Sequence, residues 1–381
     1  MAGAERALNR SEAWFVLNGL QTIGPVSIRR LLDAFGSDPV RLFNATRREL
    51  EAVDGIGPKA SEVICHWWKC FDLEKENHIL DKFDACFIDR ENGLYPSALL
   101  EIYDPPTGLY RMGSLPLEQR GVAIVGSRSC SLYGQRVARK LASCFARRGF
   151  CIISGLARGI DTAAHEGALE VGGKTVAVLG NGLDIIYPPE NLGLYREIVE
   201  KGAVVSEFRF GRRADRQTFP MRNRLVSGMA RLVVVVETDL RGGSMITARF
   251  ALEQGRTVAA VPGRIDDPQS RGCLQLIQDG AVLVHSVEAL VDEYAGDGQM
   301  DWFTALGGAG SGEKGEDSSL ADACTPSERE VLNLFSKGDA LGIDSLSEKL
   351  GKPSHEVAGI LVLLEMKRLV GKRSDGSFER R

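Results

Sequence analysis

Four short runs of this chain carry groups able to hold an anion. IVGSRS closes on Ser127 and Arg128, and IISGLARG on Ser154, Gly155 and Arg158. FPMRNR gathers Phe219, Arg222, Asn223 and Arg224, and RGGSMIT supplies Gly243 and Ser244. Small residues ahead of a helix leave backbone N–H groups pointing outward, and with the helix dipole these bind phosphate or carboxylate. One such turn suits a single phosphate; several in a row suit a ligand that carries several.

Charge points the same way. Residues 207–231 hold seven arginines (Arg209, Arg212, Arg213, Arg216, Arg222, Arg224 and Arg231) against Glu207 and Asp215, with Phe208, Phe210 and Phe219 interleaved. Arginine among aromatics suits single-stranded nucleic acid, since guanidinium pairs with phosphate and rings stack on bases. The structural alternative is a solvated loop braced by ion pairs. The 381 residues carry a net charge of −4, so any attraction for a polyanion has to be local.

The elements that must position these groups lie in residues 121–295. GVAIVGS, FCIISG, KTVAVLG, AVVSE, RLVVVVE, TVAAVPG and AVLVH read as strands, with amphipathic helical stretches between them. Continuous Val/Ile runs alternating with helices predict a mainly parallel sheet covered on both faces, a Rossmann-like doubly wound α/β unit. Its binding crevice is expected beyond the carboxyl ends of the strands.

Around this unit the chain divides further. Residues 1–85 read as helical. QTIGPVSIRRLLDAF and LEAVDGIGPKASEVICHWW each place Gly-Pro before a helix, the pattern of a helix-hairpin-helix (SAM-like) pair. Such turns can hold a DNA phosphate, or the module packs or binds protein. Residues 86–120 read as an extended connector at the start of the central domain, 86–295. Residues 296–323, rich in Gly, Ser and acid, read as a flexible linker. Residues 324–381 suggest a winged helix, able to touch duplex DNA or to dock protein, since the stretch from Ser354 to Lys367 carries few cations.

Several motifs point away from other chemistry. ALEVGGKT nearly spells a phosphate-binding loop, but Ala168 replaces the first glycine and the order is helix then strand. LGNGLD lacks the third glycine of a dinucleotide fingerprint. Asp161 and His165, four apart in GIDTAAHEG, suit a structural salt bridge more than an acid/base pair. Eight cysteines include no CxxC, and Trp67 and Trp68 separate Cys65 and His66 from Cys70, so no metal is expected. The N-terminus lacks an apolar core, and no stretch approaches about 18 apolar residues, so neither export nor a membrane is expected, and the cytoplasm is.

GSRSCSLYG, SGLARGIDTAAHEGAL, GGKTVAVLGNGLDIIYPPEN, FPMRNRLVSG, GGSMITARFALEQGR and VPG, in that order, resemble the DNA-processing protein A family (DprA, also called Smf). The resemblance implies sequence-independent single-stranded DNA binding. It also implies loading of RecA onto DNA taken up in natural transformation, past single-strand-binding protein. A homodimer through the Rossmann-like domain is implied, with no cofactor and no catalytic turnover. By position, Arg128 matches the family's main DNA-contacting arginine, and Arg216 stands where relatives carry a lysine. Phe219 fits base stacking or loop packing. Arg222, Asn223 and Arg224 match an RNR-type triplet, and Ser154, Gly155 and Arg158 the SGLARG turn. Met245 stands where many relatives have leucine. Two other classes remain as alternatives. One is a phosphoribohydrolase-type enzyme with Glu253 as acid, although RGGSMITARFALE departs from that group's PGGxGTxxE loop. The other is a transcriptional regulator driven by the winged helix.

Overall fold

The computed structural model describes residues 7–20, 23–117, 119–215, 217–295, 325–335, 340–367, 369–373 and 376–380. Arg216 and the expected linker lie outside the described residues. The N-terminal helices are α1 (Arg10–Gly19), α2 (Pro25–Ala34), α3 (Pro39–Phe43), α4 (Arg47–Glu51), α5 (Pro58–Cys65) and α6 (Leu73–Lys82). Asn9 with Glu12 and Thr46 with Glu49 close capping boxes on α1 and α4. In both Gly-Pro turns the glycine is the N-cap and the proline the first helical residue, where a missing N–H costs nothing. Arg30 donates to the Asp54 carbonyl and ties the two turns together.

The central sheet holds β1 (Ala85–Asp89), β2 (Gly108–Met112), β3 (Gly121–Gly126), β4 (Cys151–Ser154), β5 (Thr175–Leu179), β6 (Ala203–Ser206), β7 (Leu232–Val236), β8 (Thr257–Ala260) and β9 (Val282–Leu283). Their order is β1-β2-β6-β5-β4-β3-β7-β8-β9. The seven expected strands are all present and parallel. Between them run α7 (Ser97–Leu100), α8 (Leu132–Arg147), α9 (Ile160–Leu169), α10 (Leu192–Lys201), α11 (Thr218–Gly228), α12 (Gly243–Glu253), α13 (Arg271–Gln278) and α14 (Val287–Ala295).

Alternation decides which face each residue covers. Ala123, Val125, Val233 and Val235 enter one core with Leu225 and Ala248; Val122, Ile124, Leu232 and Val234 enter the other with Leu141 and Ala164. A third cluster runs without a break from Trp14, Leu31 and Ile64 of the N-terminal helices to Tyr110 and Leu179 of the sheet. From β3 the chain winds outward through β4, β5 and β6, then returns to β7 on the other side of β3. The loops after β3 and β7 therefore diverge, which opens a crevice there.

Two stretches differ from expectation. The connector is extended, but it is sheet: β2 pairs antiparallel with β6 (Arg111 with Val205), and β1 with β2. FPMRNRLVSG is no loop but helix α11. Pro220 falls in its first turn, where proline is tolerated, and Asp215 caps that turn by accepting the Gln217 and Thr218 N–H groups.

The C-terminal unit comprises α15 (Pro326–Asn333), β10 (Ala340–Leu341), α16 (Ile343–Leu350), α17 (Ser354–Met366), β11 (Val370–Lys372) and β12 (Phe378–Arg380). It has its own core around Val331, Leu361 and Phe378. Among the described residues no helix is long and apolar enough to cross a membrane.

Candidate nucleic-acid interface

At the divergence of β3 and β7 lies a cavity of about 500 Å³. Ser127 and Arg128 leave β3 on one side. The first two turns of α11 contribute Phe219, Arg222 and Asn223. The start of α12 contributes Gly242, Gly243 and Ser244. The Arg128 guanidinium lies 4.8 Å from the centroid of the Phe219 ring, and Tyr187 stands beside that ring with centroids 6.2 Å apart. An exposed cation held over an aromatic face keeps its charge presented to solvent while losing rotamer freedom. Asn223 reaches across to the Gly243 carbonyl at 3.3 Å, joining the two helix starts.

Arg222 occupies the floor. It is 5% exposed, and it donates to the Val178 carbonyl at 3.0 Å. A Cβ on Gly155 would fall 1.3 Å from Arg222 Nη1, so only glycine leaves room for this side chain. Burial pushes the guanidinium pKa down, opposed by the Asp161 carboxylate. Burial pushes Asp161 up, opposed by Arg222 and by the N–H groups of Gly155 and Ala157.

The expected Asp161–His165 salt bridge does not form. His165 Nδ1 lies 2.7 Å from the Thr175 hydroxyl, which itself sits 2.7 Å from the Ile152 carbonyl. A carbonyl can only accept, so the hydroxyl donates to it and Nδ1 carries the ring proton. Nε2 is then a bare lone pair, buried without a partner. Burial, then the Arg222 charge, lowers the pKa of His165 to about 3.

The expected row of four open glycine turns reduces to one. Glu237, at φ 53° just beyond β7, accepts the Ser131 N–H at 2.7 Å and the Ser131 hydroxyl. It thereby fills the α8 N-terminus with the protein's own carboxylate. Asp161 does the same for the turn after β4. In α12, by contrast, the N-cap is Gly242, which has no side chain to cap with, and that end faces the cavity. Leu156 also holds a left-handed φ of 56° in the turn after β4. Such strain collects where a fold positions ligand contacts.

Not every expected contact residue reaches this cavity. Arg224 is corrected to a structural role: 2% exposed, it makes two bonds of 2.6 and 2.7 Å to Glu207 and lies 3.2 Å from Asp104. Ser154 is fully buried beneath the floor, its hydroxyl donating to the Ile124 carbonyl at 2.7 Å. Gly155 meets Arg222 rather than solvent. Arg158 is half-exposed outside the lining and pairs with Glu190. Glu253, the acid of the enzyme alternative, closes α12 at the end opposite the cavity. Asp161, expected in a salt bridge, lines the cavity instead, and so does Arg241, which was not singled out from sequence. The cue for Arg241 is its place immediately before the Gly-Gly helix start.

Residues 86–295 match the model of the family described as DNA recombination-mediator protein A. Protein Smf of Escherichia coli (strain K12) is 39% identical over 302 residues, covering 77% of this chain and 75% of its own. Protein Smf of Synechocystis sp. is 36% identical over 302 residues, covering 76% and 73%. The X-ray structure of DNA processing protein A from Streptococcus pneumoniae matches with a TM-score of 0.65 at 34% identity, covering 76% of this chain and 99% of that one. DNA processing protein A from Helicobacter pylori, whose structure addresses its single-stranded DNA binding mode, matches with a TM-score of 0.52 at 30% identity over 56% and 97%. With the ordered motifs, the parallel sheet and these relatives in agreement, the chain belongs to the DNA recombination-mediator protein A family.

Proposed function

We propose that this protein binds single-stranded DNA without sequence preference and acts as a non-catalytic recombination mediator. In this reading it loads RecA onto DNA entering by transformation, past single-strand-binding protein, and works in the cytoplasm as a homodimer formed through the Rossmann-like domain. One observation carries the binding claim: Arg128, Phe219 and the uncapped start of α12 line one crevice at the topological switch. That set offers a guanidinium and helix N–H groups to phosphate and a ring to bases. Phosphates and ring faces are common to every nucleotide, so such contacts carry no sequence preference. The two Gly-Pro helices are read as a helix-hairpin-helix pair and the C-terminal unit as a winged helix, with the domain limits 1–85, 86–295 and 324–381. Arg216 stays in the proposed set on sequence grounds.

The test is fluorescence anisotropy with labelled oligo-dT over a range of salt. Log affinity should fall with log salt by about 0.7 per phosphate neutralised. Arg128→Ala should weaken binding on the order of ten- to a hundredfold with unchanged melting, since it removes a charge-assisted contact on an exposed side chain. Wild-type affinity in Arg128→Ala would sink the assignment.

A further inference from the structure

Strand β12 alternates across the small C-terminal sheet. Phe378 faces inward, 5% exposed in the core of that unit. Glu379 faces out, where a glutamate is normally solvated, yet it is only 2% exposed. The first turn of α8 covers it: Glu379 Oε2 accepts the Leu132 N–H at 3.0 Å, across 247 positions of sequence. The chain thus lays a carboxylate on a helix N-terminus, a favourable placement for negative charge.

The contact is complementary in both directions. Burial pushes the Glu237 carboxyl up, and the Ser131 groups and the Arg373 charge oppose it. Arg373 also lowers the Cys130 thiol pKa against its burial. So an N–H of the core meets a carboxylate of the C-terminal unit, and the charge of that unit's Arg373 acts favourably on a core carboxylate. The place matters. Leu132 follows four residues after Arg128, on the same βα turn that walls the crevice. Helix α17 has no Lys or Arg from Ser354 to Met366, and Val362, Leu363 and Met366 are exposed on it. The unit is therefore poorly equipped to read DNA by that helix and well equipped to sit on the core.

We propose that the C-terminal unit is a latch on the DNA crevice: Glu379 docks on the start of α8, four residues along the chain from Arg128, and a single strand entering the crevice must displace it. This rests on the single-stranded DNA reading of the crevice. Glu379 sets a carboxylate at the start of α8, four residues along the chain from Arg128, so docked unit and bound strand oppose each other by charge.

The test uses the full-length protein and its variants Glu379→Ala and Arg373→Glu. Each should bind labelled oligo-dT roughly three- to tenfold more tightly than wild type, because the binding-competent fraction rises by the strength of one lost charge-assisted contact. Amide exchange at Leu132 and along residues 370–373 should quicken in Glu379→Ala, and in wild type once oligo-dT saturates it. Affinity equal to or below wild type in both variants, or a C-terminal unit still protected with oligo-dT bound, overturns the latch. Absence of oligo-dT binding in wild type and every variant instead fails the crevice reading, and the latch falls with it.

Discussion

Arg128 and Arg222 bring the same charge to the same cavity by opposite routes. Arg128 is exposed and held by an aromatic face, so its charge is available to a ligand. Arg222 is buried, its bonds turned to the Val178 carbonyl and its charge matched by Asp161; it shapes the floor more than it grips. Beneath it His165 is kept neutral. Its folded-state pKa, about 3, lies below the ordinary value near 6.5. The unfolded chain therefore takes up a proton that the folded one refuses. The stability this lends is fully present above pH ~6.5 and is lost as pH falls toward the folded value. Between about pH 6 and 4, His165→Gln should remove about 1.4 kcal/mol per pH unit from the slope of wild-type stability against pH. Urea titrations of both proteins at pH 7, 6 and 5 measure this; parallel curves would contradict the neutral, Nδ1-protonated assignment.

Helix α11 sorts the arginine cluster. Arg222 and Arg224 are two positions apart, about 200° around a helix, so they cannot serve the same surface. Arg222 turns with Phe219 and Asn223 to the crevice. Arg224 turns to Glu207 and Asp104, pinning the helix to the end of β6 and to the segment before β2. Burial pushes Glu207 up, with the Arg224 charge opposing. Arg224→Ala should therefore cost about 3–5 kcal/mol of folding stability, leaving the largely buried Glu207 carboxylate unpaired. At temperatures where the variant remains folded, its oligo-dT affinity should match wild type. Denaturant unfolding and anisotropy together measure both, and the result should be the inverse of Arg128→Ala. This division was not legible in the sequence. FPMRNR mixes helix-favouring arginine and methionine with a proline and an asparagine, so its local pattern does not settle on a helix. What makes it one is Asp215 at its start and the apolar bed under Leu225 and Val226, and the bed is a tertiary fact.

Across the whole molecule, the hydrophobic clusters set which parts must melt together. Phe15, Phe71, Phe87 and Tyr110 pack ring against ring from α1 to β2, so the N-terminal helices share one core with the sheet. The C-terminal core shares no residue with it. Trp14 in α1 and Trp67 and Trp68 in the 3-10 turn between α5 and α6 are three of the chain's four tryptophans. Unfolding followed by tryptophan fluorescence should coincide with the loss of amide protection in β7, whereas residues 340–367 should lose protection at lower denaturant. Separate transitions for the tryptophans and β7 would show that the shared core does not couple them.

By itself the sequence determined the strand-and-helix alternation, the parallel sheet and the position of Arg128 at a strand's carboxyl end. Each follows from local pattern: apolar runs of strand length, glycine turns and the 3.6-residue repeat are properties of neighbours along the chain. Only the tertiary structure decided which arginines meet solvent, which helix start stays uncapped and where Glu379 rests. Those outcomes depend on whether a carboxylate distant in sequence arrives first: Glu237 reached the start of α8, Glu207 reached Arg224, and neither left a trace in the spacing of the residues it satisfied.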